Sequence, residues 1–142
     1  MQKVAAYSLA ALVLTAALLL ASGHPVLNQP GPLGLPVGNW AAWAGLIALP
    51  AAQLMGLYHK RNREKDPRIG VFYIGSLGAL TLSLLWGVLS YGLAGNWAFV
   101  FQQQQGTFVG SAEAASFFFY LSAATAALPL LILVLYLIYR SL

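Results

Sequence analysis

The chain predicts an all-α polytopic membrane protein, a bundle of four transmembrane helices with both termini on the cytoplasmic or stromal side. Three observations predict it. Hydrophobic residues make up 60% of the sequence and charged residues 7%, against roughly 25% charged in a typical soluble domain. The apolar residues come in blocks near the roughly 20 residues that cross a bilayer, rather than on one face of amphipathic helices. Five of the seven Lys and Arg fall within residues 60–68, which is how a chain marks the side of the membrane it does not translocate.

Length and composition narrow the rest. Four spans of roughly 20 residues with short connections occupy nearly all of the 142 residues, so residues 1–142 are expected to form a single transmembrane domain. The chain has no cysteine, which excludes disulfides, thiolate metal sites, iron–sulfur clusters and thiol catalysis. The net charge of +4, gathered at one place, reads as a topology signal and then as an anion-binding patch. No nucleic-acid partner is expected.

The first span is expected at residues 4–22. Lys3, the apolar run and Ala21-Ser22-Gly23 resemble a signal peptide, but a run of about 18 residues is long for a cleaved segment and suits a crossing. Residues 23–39 follow, with Pro25, Pro30, Pro32 and Pro36 alongside Gly31, Gly34 and Gly38. That composition predicts an extended, semi-rigid strap rather than a helix. The second span is expected at 40–58, with Asn39 as N-cap. The third, at 67–93, carries a capping carboxylate at Asp66 and a proline at the first helical position, Pro67. The fourth, at 111–139, is capped by Ser111 and is long enough to tilt or project. Segments buried in lipid satisfy their backbone only as helices or closed barrels, which is why these runs read as helices.

Orientation follows from charge. Lys3, the 60–68 cluster and Arg140 alternate as four spans require, whereas loops 23–39 and 94–110 contain no basic residue. Aromatic belts agree, with Trp40, Trp43 and Trp97 at the outer boundary and Tyr7, Tyr58, Tyr73, Tyr136 and Tyr139 at the inner one. Small residues recur every four positions on the middle helices: Ala44, Ala48, Ala52 and Gly56 on the second, Gly75, Ala79, Ser83 and Gly87 on the third. Such stripes let membrane helices approach closely, and they are expected to face each other or another subunit. Pro50 and Pro129 interrupt the second and fourth helices and are expected to bend them without a polar group to use the freed carbonyl.

Chemistry is sparse. No Asp, Glu, Lys, Arg or His falls in the middle of a predicted span, where an ionisable residue would mark an ion path or proton relay. Glu113 sits in a first helical turn, where its charge complements the helix dipole. No nucleophile–base pair, paired carboxylates or phosphate loop is visible, so no catalytic residue and no metal site is expected. His24 and His59 end up on opposite faces, so each could ligate a haem or chlorophyll only singly. Lys60, Arg61, Arg63, Lys65 and Arg68 are candidates for anionic lipid or an acidic partner. Trp97, Phe99, Phe101 and Phe108 give the second outer loop an apolar surface that is expected to be covered, by the interface or by a partner.

These features predict a small non-catalytic accessory or assembly subunit of a larger membrane complex, such as an energy-transducing one of respiratory or photosynthetic electron transport. Its partners are the bilayer, other membrane subunits and anionic lipids. The competing classes are a haem- or chlorophyll-binding membrane protein that uses one histidine, and a small oligomeric transporter or channel with Gln53, Thr81, Ser83, Ser90 and Thr125 along its path.

Overall fold

The computed structural model describes residues 2–32, 36–64, 66–102, 106 and 108–142. It is all-helical: α1 (Gln2–Ser22), α2 (Val37–Glu64), α3 (Pro67–Ala94), the short α4 (Trp97–Gln102) and α5 (Ala112–Ser141), with a 3-10 turn at Pro25–Asn28. Three of the helices, α2, α3 and α5, are long and apolar enough to cross a membrane, and α1 carries a shorter apolar stretch over Tyr7–Ser22.

The ends of the helices carry the expected caps in two cases and depart from expectation in a third. Asp66 Oδ1 accepts from the Arg68 backbone N–H at 2.9 Å and Pro67 starts α3. Ser111 Oγ accepts from the Ala114 N–H at 3.2 Å and starts α5. In α2, however, the helix begins two residues before Asn39, which is therefore a buried residue of the first turn and not its cap. The same helix runs on to Glu64, beyond the expected end at 58. Lys and Arg are good helix formers and their charge complements the C-terminal end of the helix dipole, so the basic cluster extends the helix. The connection to α3 shrinks to residues 65 and 66.

The proline-rich strap is also folded more than its composition suggested. His24 Nδ1 accepts from the Val26 N–H at 3.2 Å and caps the 3-10 turn, with Pro25 at a position where its missing N–H costs nothing. Val37 N–H donates to Gln29 O at 2.9 Å, and Pro30 and Pro36 pair as an isolated bridge that closes the strap. Trp40 Nε1 donates to Pro32 O at 3.2 Å, which pins the strap to α2.

The helices are arranged in a row. α1 packs principally on α2, α2 on α3 and α3 on α5, with a smaller α2–α5 contact. Within the row, α3 is central, and its buried positions include Ile69, Ser76, Ser83 and Ser90 at seven-residue intervals, with Ala79 and Trp86 between them. A helix of 3.6 residues per turn drifts by about 40° for each four-residue step but by only about 20° for each seven-residue step. The buried seam of α3 accordingly follows the heptad. The four-residue stripes wind across it: a Cβ at Gly87 would meet the Trp43 ring of α2 at 2.9 Å, one at Gly75 would meet Ile132 of α5 at 3.4 Å, and one at Gly56 would meet nothing within 4 Å. Ala48 and Ala79 are fully buried, while Ala44 and Ala52 are half-buried.

At one end of the row, α4 folds back over the bundle. Trp86, Ala94, Val100 and Phe118 form a buried cluster, packed on by Trp43, Phe99 and Phe108 among others. Gly95, at φ +65°, ends α3 in the left-handed conformation, with its N–H on Tyr91 O at 2.7 Å. Val109 N–H returns to Ala94 O at 2.9 Å. Gly110 must be glycine, since a Cβ there would lie 2.2 Å from Leu93 O.

Candidate functional site

The row arrangement leaves α1 and α5 apart, and between them, floored by α2, lies a cleft of about 1040 Å³. This is at the upper end of the roughly 300–1,000 Å³ of ordinary ligand sites. Val13, Ala16 and Leu20 of α1 form one wall, Phe118, Ala126 and Leu130 of α5 the other, and Ala42, Gly45 and Leu49 of α2 the floor. Leu27, Asn28 and Pro36 of the strap line one end. Gly45 lets α1 approach α2 closely: a Cβ there would stand 3.1 Å from Ala16 Cβ, the point at which α1 rests on α2. Ala16 is the buried residue among the described side chains of α1.

Few polar groups line the cleft. Ser122 Oγ donates to Phe118 O at 2.8 Å and accepts from Trp86 Nε1 at 3.0 Å, so its hydroxyl is occupied. Asn39 differs. It is 5% exposed, it lines the cleft next to the strap, and its Nδ2 has no hydrogen-bond partner among the described residues. A buried amide donor left unpaired costs about 1–3 kcal/mol, and a ligand acceptor in the cleft would remove that cost.

A second polar group lies deeper in the bundle. Gln53 Nε2 donates to Pro129 O at 2.7 Å, and Ser76 Oγ donates to Gln53 Oε1 at 3.2 Å. A neighbouring helix thus supplies a polar side chain to Pro129's own carbonyl, whereas the carbonyl that the missing proline N–H frees is that of Thr125. The local sequence of α5 could not show it. Both prolines are fully buried and their helices continue through them.

No family model, curated protein or solved structure matches this chain. Its function therefore rests on the residues themselves. His24 and His59 are both exposed, and neither lines the cleft. His24 Nδ1 is engaged as an acceptor in its cap, which puts the proton of the neutral ring on Nε2. Ligation through Nε2 would break that cap. His59 stands edge-on to Tyr58 at the basic end. Among the described residues, no group of three or more His, Asp or Glu comes together.

The basic cluster is met by tyrosines of α3 and α5. Lys60 Nζ donates to the Tyr136 hydroxyl, Arg61 lies over the Tyr73 ring at 5.1 Å, and Arg68 over the Tyr139 ring at 5.7 Å. The Tyr139 hydroxyl donates to Asp66. That bond and then the Arg68 N–H hold the Asp66 carboxyl below the usual carboxylate range against the opposing effect of burial, with the Arg68 charge a lesser contributor. Arg63 and Arg140 line a smaller pocket here. Lys65 lies outside the described residues, as does the side chain of Phe101.

Phe99 and Phe108 pair edge to face at 4.8 Å, and Phe99 also meets Phe118 at 5.3 Å. Trp97 stacks on Tyr91 at 4.6 Å. The described aromatic residues of the 94–110 loop thus pack on their own bundle. Gln53, Ser83, Ser90 and Thr125 do not gather around the large cleft. Thr81 is exposed and turned onto its own helix, its Oγ1 donating to Leu77 O at 3.0 Å.

Proposed function

We propose that this chain is a four-span, non-catalytic subunit of a larger membrane assembly, with its termini and basic cluster on the cytoplasmic or stromal side. In this reading the α1–α5 cleft receives a hydrophobic element that the chain does not itself supply. The observation that carries the reading is the cleft, a void of about 1040 Å³ bordered by helices whose other faces are apolar and exposed. A membrane helix from a partner could fill such a groove by close packing, since small lining residues such as Ala42 and Ala126 permit it.

A second reading is favoured by Asn39. Its free amide donor beside the strap suits the carbonyl of a lipophilic small molecule, so the occupant would be a pigment or other lipid-soluble cofactor held by shape and one hydrogen bond. Histidine ligation has no part in that arrangement, because no histidine lines the cleft.

One experiment tests both. The protein is extracted in a gentle detergent, its native mass is measured, and the proteins and lipids of that particle are identified by mass spectrometry. A large heteromeric particle is expected and would identify the assembly. A small particle holding a stoichiometric carbonyl-bearing lipophile would favour the second reading. A bare monomer would defeat both.

A further inference from the structure

The basic end of the α2–α5 contact carries a feature that the accessory-subunit reading leaves unused. A pocket of about 210 Å³ is lined by Lys60, Arg63 and Arg140, with Tyr136 and Glu64. A second pocket of about 200 Å³, toward the middle of the helices, is lined by Gly56, Leu57, Ile132 and Leu133. The two share Lys60 and Tyr136, so they adjoin along the groove between α2 and α5, the first cationic and the second apolar. Its apolar part exists because Gly56 has no side chain: a Cβ there would meet nothing within 4 Å.

We propose that this groove binds one anionic glycerophospholipid, with the phosphate among Lys60, Arg63 and Arg140 and one acyl chain lying over Gly56. The charge balance selects an anion: three cations face one carboxylate, Glu64, around the pocket. Basic pockets between helices, at the end where positive charge collects, are suited to lipid phosphate, which guanidinium groups bind through paired hydrogen bonds. The apolar continuation distinguishes a lipid from a free phosphate, which would gain nothing from Gly56 and Ile132. The proposal rests on the bilayer-spanning reading, though not on the existence of a partner assembly.

The test uses the full-length chain in a gentle detergent, with lipid binding followed by native mass spectrometry and thermal stability. Phosphatidylglycerol, phosphatidylcholine of the same acyl chains, and soluble glycerol 3-phosphate are compared. Phosphatidylglycerol is expected to bind at one copy per chain, about tenfold or more tighter than phosphatidylcholine, and glycerol 3-phosphate to have no effect. The Lys60→Gln, Arg63→Gln, Arg140→Gln triple variant should lose that preference, and the charge-keeping Lys60→Arg, Arg63→Lys, Arg140→Lys variant should retain it. Gly56→Leu, which leaves the charges in place, should weaken phosphatidylglycerol binding by blocking the chain slot. Circular dichroism establishes that each variant is folded. Equal binding of the two phospholipids would overturn the proposal, as would glycerol 3-phosphate binding as well as the lipid. Resistance of the chain to alkaline extraction from membranes separates these results from failure of the spanning reading, since an extractable chain would overturn both.

Discussion

Gln53 ties three helices together through two hydrogen bonds, to Pro129 O and from Ser76. Interhelical bonds of this kind in a membrane contribute about 0.6 kcal/mol on average and up to about 1.7. Gln53→Leu, which keeps bulk and removes the amide, is therefore expected to lower stability by about 1 kcal/mol in a reversible detergent-denaturation measurement. An unchanged midpoint would show that the α2–α5 contact does not depend on it. At the basic end, Asp66 has a carboxyl held low by the Tyr139 hydroxyl, the Arg68 N–H and the Arg68 charge. A folded-state pKa below the unfolded one adds stability above the ordinary carboxylate range, near pH 4, and that stability is lost as pH falls through the lowered value. The thermal midpoint of the wild-type chain should thus fall on acidification from pH 6 toward pH 3. Asp66→Asn, which keeps a capping oxygen, should flatten that fall. Equal pH dependence in the two proteins would count against the Tyr139 contact.

Among the elements, α1 packs principally on one neighbour, α2. Its buried residue, Ala16, rests on Gly45 of α2, and the strap adds the contact of Leu27 with Gly38. The absence of native cysteines allows a direct check. The Ala16→Cys, Gly45→Cys double variant should oxidise to an intramolecular disulfide, because the Cβ separation of 3.1 Å at this point is close to the roughly 3.5–4.5 Å of natural disulfides. Failure to cross-link in the membrane would mean that α1 does not sit on α2 and that the cleft is not formed as described. Gly45→Leu, by the same geometry, should push α1 away and abolish any occupant of the cleft. The α3 seam makes a related point about elements. Four-residue spacing of Gly75, Ala79, Ser83 and Gly87 looks like one face, but its drift distributes the stripe between Trp43 of α2 and Ile132 of α5.

For the whole molecule, the arrangement brings the ends of α2 and α5 and the start of α3 together. Lys60 meets Tyr136, and Asp66 meets Tyr139. Four spans with this pairing require that residues 62 and 141 share one side and residue 31 lie on the other. Single variants Asn62→Cys, Ser141→Cys and Gly31→Cys, in vesicles of known orientation, should react with an impermeant maleimide in that pattern. Labelling of Gly31→Cys and Ser141→Cys from the same side would overturn the four-span reading.

The sequence by itself determined the helical class, the three long apolar helices and the caps at Asp66 and Ser111, because these depend on local composition and on groups within one turn of each other. The extent of α2 was less legible. Its basic end is polar yet helix-forming, so hydropathy stopped at residue 58 where the backbone continues to Glu64. Only the tertiary structure decided which faces meet. Gly45 opposite Ala16, Trp43 over Gly87 and Gln53 on Pro129 join residues distant in the chain, and apolar periodicity is uninformative when every side of a helix is apolar. The cleft has the same origin: it is the space left when α1 and α5 each pack on a different neighbour, and Asn39, which reads as a cap, becomes its unpaired donor because α2 starts two residues earlier.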